Sequence, residues 1–216
     1  TMIYVNPGLY AEQAEIQDRR YIRMIGAGQG LSIIAGGNSS GTTFNPGGAA
    51  TSPADNVGMV VAARGSLVTG FTFRGVAGGY GLYIGDGGRR WSLGASAYTT
   101  RDCFIYGNLF DGDEFATAAR FGIVVDGCPG NIHIFRNTFM RWGGSALGGG
   151  ILGSSGTTQT TRHVNVYDNY FKGCRGYGVL LNADTVISGW CTGPGNVFED
   201  DDTTALTNPA LYNATG

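Results

Sequence analysis

Lysine is almost missing from this chain: Lys172 is the only one, and arginine supplies the rest of the basic side chains. Charged residues of both signs make up 14% of 216 positions, and the formal net charge is −2. So sparse and balanced a charge offers no bulk attraction for nucleic acid. No apolar run reaches the length of a membrane-spanning helix, and no signal peptide is visible, so membrane insertion is not expected. The four cysteines, Cys103, Cys128, Cys174 and Cys191, form no CxxC pair and have no metal-ligand spacing with His133 or His163. They read as small buried hydrophobes, and nothing implies a metal or cofactor. No long apolar pattern of helical period is present either, so helix content is expected to be low.

What the chain has in quantity is glycine, 39 residues, alongside 42% hydrophobic and 12% aromatic residues. A flexible linker would lack those hydrophobics, so glycine is expected at many tight turns of one ordered domain. Three segments repeat closely: Cys103–Phe110, Ile132–Phe139 and Val164–Phe171. A weaker copy ends at Asn196-Val197-Phe198, and Val68–Phe73 is a relative without the asparagine. The asparagines Asn108, Asn137, Asn169 and Asn196 follow one another at 29, 32 and 27 residues. Spacings in this range mark stacked repeats such as solenoids. A second motif trails each copy, at Gly81-Leu82-Tyr83-Ile84, Gly122-Ile123-Val124-Val125, Gly150-Ile151-Leu152 and Gly178-Val179-Leu180-Leu181.

Each repeat therefore holds a strand, an Asn-x-Phe corner, a variable loop and another strand. Asparagine is expected to take the left-handed conformation at the corner and to bond to its copy in the next repeat. Phe110, Phe139, Phe171 and Phe198, with Phe73 before them, are expected to point inward and stack. The predicted architecture is all-β: a right-handed single-stranded parallel β-helix, or solenoid, with Asn and Phe ladders. Residues 85–100 and 142–160 are the largest loop insertions. The whole of 1–216 reads as one β-helix domain. Because Met2–Val5 reads as a strand already under way, it is expected to be a segment of a longer chain or assembly.

Alternation assigns the faces. With Ile132, Ile134, Val164 and Val166 inward, Tyr106, Phe135 and Tyr167 point outward above one another, and His133 points outward as well. With Ile123, Val125, Val179 and Leu181 inward, Tyr83, Val124, Leu152 and Leu180 form a second outward apolar column. Such columns imply contact with a subunit, with sugars, or with loops of the same chain. A slip of one residue in register would exchange the two faces.

The opening Ile3-Tyr4-Val5-Asn6-Pro7-Gly8-Leu9-Tyr10-Ala11-Glu12 resembles the first coil of the pectin lyase-like superfamily, in the form found in pectin methylesterases. Tyr21–Gly28 and Leu31–Gly36 extend the likeness. The resemblance implies the parallel β-helix fold. It leaves function open, since the superfamily includes polysaccharide lyases, glycoside hydrolases, esterases, adhesins and phage tailspikes. The motifs of the esterases, polygalacturonases and pectate lyases are absent as such; Arg89-Arg90-Trp91 only faintly matches one of them.

Glycoside hydrolysis needs two carboxyl groups about one bond. The weak catalytic candidates are Asp111, Asp113 and Asp168, with Arg136 beside them; as solvated turn residues they need no catalytic role. Glu199-Asp200-Asp201-Asp202 likewise reads as a solvated acidic loop rather than a calcium site. The expectation is thus a structural or adhesive β-helix of a virion surface: a phage tailspike, fibre or capsid decoration protein. It would be a homotrimer or be joined to other virion proteins, and would hold host glycans on Tyr106, Phe135, Tyr167 and His133. The alternatives are an extracellular polysaccharide-degrading lyase or hydrolase, and a bacterial surface adhesin.

Overall fold

The computed structural model describes residues 1–12, 14–35, 57–74, 80–85, 100–112, 121–126, 128, 130–142, 148–154, 163–174, 176–181, 191–199 and 211–213. Among them there is no helix; all regular structure is strand. The strands fall into layers of three. The first layer is β1 (Met2–Val5), β2 (Gly8–Tyr10) and β3 (Ala14–Arg20), and the second is β4 (Arg23–Gly26), β5 (Ser32–Ile34) and β6 (Val57–Arg64). The third is β7 (Leu67–Thr69), β8 (Phe71–Arg74) and β9 (Tyr80–Ile84), and the fourth is β10 (Arg101–Tyr106), β11 (Leu109–Asp111) and β12 (Phe121–Asp126). β13 (Gly130–Phe135), β14 (Thr138–Met140) and β15 (Gly149–Ser154) make the fifth. β16 (Val164–Tyr167), β17 (Tyr170–Lys172) and β18 (Tyr177–Leu181) make the sixth, and β19 (Cys191–Thr192), β20 (Val197–Glu199) and β21 (Leu211–Asn213) the seventh.

Each strand pairs in parallel with the strand three places later in the chain. Three parallel columns result. The second column, from β2 to β20, is a seven-stranded sheet of its own. The first and third columns join into a 14-stranded sheet through the single pairing of Arg101 with Arg64. The predicted all-β character, the parallel pairing and the repeat register are therefore present.

The inward alternation of all three columns meets in one main core, which includes Val68, Ile105, Ile134 and Val166 from the first column and Ile123, Ile151 and Val179 from the third. The second column contributes the phenylalanines. Phe73, Phe110, Phe139, Phe171 and Phe198 stack in order, with ring centroids 4.7–4.8 Å apart and planes within 9° of parallel. The first four are buried, but Phe198 is 39% exposed, so the last ring is covered on one side only. Offset aromatic stacking adds roughly 0.5–1.5 kcal/mol per pair to the burial itself.

The stack explains the glycine that opens the trailing motif. Gly58, Gly81, Gly122, Gly150 and Gly178 share one register in the third column. A Cβ on Gly122 would lie 2.8 Å from Phe139, and one on Gly150 would lie 2.6 Å from Phe171. The phenylalanine rings occupy the volume where those methyl groups would go.

The asparagine ladder also forms, with one correction. The left-handed residues are Gly70, Gly107, Arg136, Asp168 and Gly195, each one place before the corner position. Asn108, Asn137 and Asn169 are not left-handed; their side chains turn inward and are almost fully buried. The preceding residue turns the chain, and the asparagine satisfies the backbone that the turn strands. Asn137 Oδ1 accepts from the backbone N and the Nδ2 of Asn108, both at 3.1 Å. Asn169 does the same for Asn137, and Asn196 for Asn169. Asn108 Oδ1 receives the Phe71 N–H, so the third layer is held although it has no asparagine of its own.

Cys103, Cys128 and Cys174 are buried, as their reading as small hydrophobes expects. Burial pushes the Cys103 thiol up to about 12, and its Sγ donates to the Ala63 carbonyl at 3.3 Å. The side chain of Cys191 and most of the loops at 85–100 and 142–160 lie outside the described residues.

Candidate functional site: an aromatic strip on the first column

The outward face of the first column carries two files of side chains, set by strand alternation on either side of the inward Val68, Ile105, Ile134 and Val166. One file runs Thr69, Tyr106, Phe135, Tyr167. Tyr106 stacks on Phe135 and Phe135 on Tyr167, both with centroids 5.0 Å apart. The neighbouring file runs Leu67, Phe104, His133, Asn165. Phe104 stacks on His133 at 5.0 Å, and His133 meets the edge of Tyr167 at 6.3 Å. Five rings thus form one continuous strip over the fourth to sixth layers. Phe104 is 40% exposed, and the other four are half-buried, largely against one another.

The placement of Tyr106, Phe135, Tyr167 and His133 follows the register read from the sequence. Phe104 was missed, although it obeys the same alternation; it stands four residues before the corner asparagine, outside the Tyr/Phe position that drew attention. His133 keeps Nδ1 buried without a hydrogen-bond partner among the described residues. Burial holds its imidazole below the ordinary value, while the carboxylate of Asp102 pulls the other way.

Polar residues border the strip on both sides. On one side Asp102 and Asn131, both left-handed, stand in successive layers. Asp102 Oδ2 pairs with Arg64 Nε at 3.2 Å, and its Oδ1 accepts from Asn131 Nδ2 at 3.0 Å. On the other side stand the exposed corner residues Arg136 and Asp168.

Of the described catalytic candidates, Arg136 and Asp168 meet at one corner, where the Arg136 N–H donates to the Asp168 carbonyl at 3.1 Å, whereas Asp111 stands on another column. Arg136 and Asp168 hold left-handed corners where other layers use Gly107 and Gly195. Asp111 lies on the second column, where Oδ1 accepts from Arg141 Nη2 at 3.0 Å. It belongs to the fourth layer and Asp168 to the sixth, and layers rise by about 4.8 Å. Two such rises, roughly 10 Å, separate their layers along the stack. Asp113 lies outside the described residues, as do Arg89-Arg90-Trp91 and Asp200–Asp202. Among the described residues no group of three or more His, Cys, Asp or Glu side chains is placed to hold a metal ion.

The second outward column differs from expectation. Tyr83 and Val124 are buried, and with Val57, Val60, Ala62 and Phe121 they form a second apolar cluster, against which Leu152 and Leu180 pack. The alternation was read correctly; this face is covered at Tyr83 and Val124, while Leu152 and Leu180 in the next two layers are half-buried. Asp126 is buried there and accepts from the Tyr83 hydroxyl at 2.6 Å. The first column thus keeps the exposed aromatic face.

Comparison with protein-family models, with curated proteins and with solved structures finds no match to this chain.

Proposed function

We propose that the three columns close into a right-handed parallel β-helix that serves as a non-catalytic attachment element of a virion surface, in a tailspike, fibre or capsid decoration protein. The aromatic strip is its contact face for host glycans. Two points support the winding. A chain that returns to each column every third strand must circulate, and parallel crossovers are right-handed in nearly all proteins.

One observation carries the functional reading: five rings, Phe104, Tyr106, His133, Phe135 and Tyr167, stand in register on an outward face and are bordered by Asp102, Asn131, Arg136 and Asp168. Aromatic rings beside planar polar groups suit sugars, which have apolar C–H faces and equatorial hydroxyls. The rungs repeat at the strand spacing, close to the rise of one sugar residue along an extended polysaccharide. The site is rigid because its rings hold one another, so little side-chain entropy is lost on binding.

The test is titration of a panel of bacterial surface polysaccharides and their oligosaccharides by calorimetry, with release of reducing or unsaturated ends followed in parallel. Binding that is lost in Phe135→Ala and Tyr167→Ala without release of ends fits this reading. Release of ends by the wild-type protein would replace it with a polysaccharide-degrading enzyme. The assembly expected at a virion surface is a homotrimer, and a stable monomer in sedimentation would remove that part.

A further inference from the structure

Arginines repeat in register from the third column to β10, the strand that carries the head of the aromatic strip. Arg20 pairs with Arg64 across β3 and β6, and Arg64 pairs with Arg101 across β6 and β10. Like charges at directly paired positions repel. The Arg64 side chain gives Nε to Asp102 and makes no other hydrogen bond among the described residues. Arg101 is half-buried; its Nε is shielded from water, and its guanidinium has no partner among the described residues. A shielded guanidinium nitrogen without an acceptor is costly, and an anion is the ligand that removes the cost. Three residues on from Arg101, past the left-handed Asp102 and the inward Cys103, the strand reaches Phe104 at the head of the strip. Exposed Arg23 heads the same file as Leu67 and Phe104.

We infer that Arg64 and Arg101 form an anion subsite at the upper end of the aromatic strip, so that the ligand is an acidic glycan bearing a carboxylate, sulfate or phosphate group. The inference rests on the glycan reading above and adds the charge of the ligand. The guanidinium forks bind the acidic group, Asp102 holds Arg64 in place, and the next sugars lie on Phe104, His133 and Tyr106. Planar forks match the two oxygens of such a group better than a lysine ammonium would.

The experiment uses the whole chain and three probes: inorganic sulfate, a sulfated or uronate oligosaccharide, and a neutral oligosaccharide of equal length. Wild type, Arg101→Gln, Arg101→Lys and Tyr167→Ala are compared. Sulfate is expected to raise the melting temperature of the wild type more than chloride at equal ionic strength, with the increment lost in Arg101→Gln. The acidic oligosaccharide is expected to bind about tenfold more weakly to Arg101→Gln, with only partial recovery in Arg101→Lys. Tyr167→Ala should weaken acidic and neutral sugars alike. Equal affinity for acidic and neutral sugars, unchanged in Arg101→Gln, would overturn the anion subsite while leaving the glycan reading intact. If no sugar binds, the glycan reading fails, and the sulfate increment alone decides the anion subsite: its absence from the wild type overturns that too.

Discussion

Replacing Asn137 by alanine tests the internal ladder most directly. Asn137 Oδ1 accepts the Asn108 N–H and Nδ2, while its own Nδ2 donates to the Ile105 carbonyl at 2.9 Å and to Asn169 Oδ1 at 3.1 Å. Asn108 is fully buried, so no water can take over as acceptor. The variant strands the Asn108 N–H and leaves the Ile105 carbonyl short of a donor. At about 1–3 kcal/mol for each buried group left unmade, the loss for the two groups is about 2–6 kcal/mol. For a chain of this length that lowers Tm by roughly 4–24 °C. Asn196 is the internal comparison. It accepts from Asn169 in the same way but is only half-buried, so water can replace it, and Asn196→Ala should lose about 1 kcal/mol. Denaturant unfolding followed by circular dichroism measures both. Equal losses in the two variants, or a loss under about 1 kcal/mol for Asn137→Ala, would refute the claim that buried amide pairing holds the corners.

Three further outcomes follow from the same geometry. Gly150→Ala places a methyl group 2.6 Å from Phe171 and 2.7 Å from the Gly178 carbonyl, so it should destabilise by about 1–3 kcal/mol or more, whereas Gly130→Ala, whose nearest neighbour is at 3.8 Å, should be near neutral in the same denaturation assay. Arg136→Gly relieves a left-handed arginine and should leave stability unchanged or raise it by up to about 1 kcal/mol; a clear loss of stability would show that the exposed side chain does more than occupy the corner. His133 should titrate below 6.5 by NMR, since burial disfavours its cation. As pH falls below 6.5 the unfolded chain takes up the proton first, so the fold loses stability until the folded imidazole also protonates, and His133→Phe should abolish that slope.

Periodicity made the repeat legible. Asn108, Asn137 and Asn169, with phenylalanine two places on, fixed the register of two columns before any pairing was known. The inward valines and isoleucines then placed Tyr106, Phe135 and Tyr167 correctly, because in a strand of fixed period side-chain direction follows from count alone. The conformation of the corner was misassigned by one residue. Asparagine is a favoured left-handed residue, but here the strain falls on Gly107, Arg136 and Asp168, and the asparagine amide is needed for bonding instead. Two of the catalytic candidates were drawn from those strained positions. The arginine column was illegible for another reason. Arg64 and Arg101 are 37 residues apart and meet only through the strand pairing, while the repeat motif begins after them.

Which face of such a stack is available for binding depends on what covers it, and alternation does not report that. Both the first and third columns alternate apolar residues outward. In the third column those residues are Tyr83 and Val124, buried to within 5%, followed by the half-buried Leu152 and Leu180 that pack against the same cluster. In the first they are rings that stack along the column and keep part of their surface open, up to 40% at Phe104. The difference lies in the borders. The first column is edged by left-handed polar corners, Asp102 and Asn131 on one side and Arg136 and Asp168 on the other, whose exposed or half-exposed side chains stay in water. A buried charge without a partner is costly, so a loop laid over that strip would have to satisfy both borders at once. The same borders offer hydrogen bonds to a ligand that brings its own polar groups. This is why the aromatic strip, and not the more apolar third column, is the face through which the protein is proposed to act.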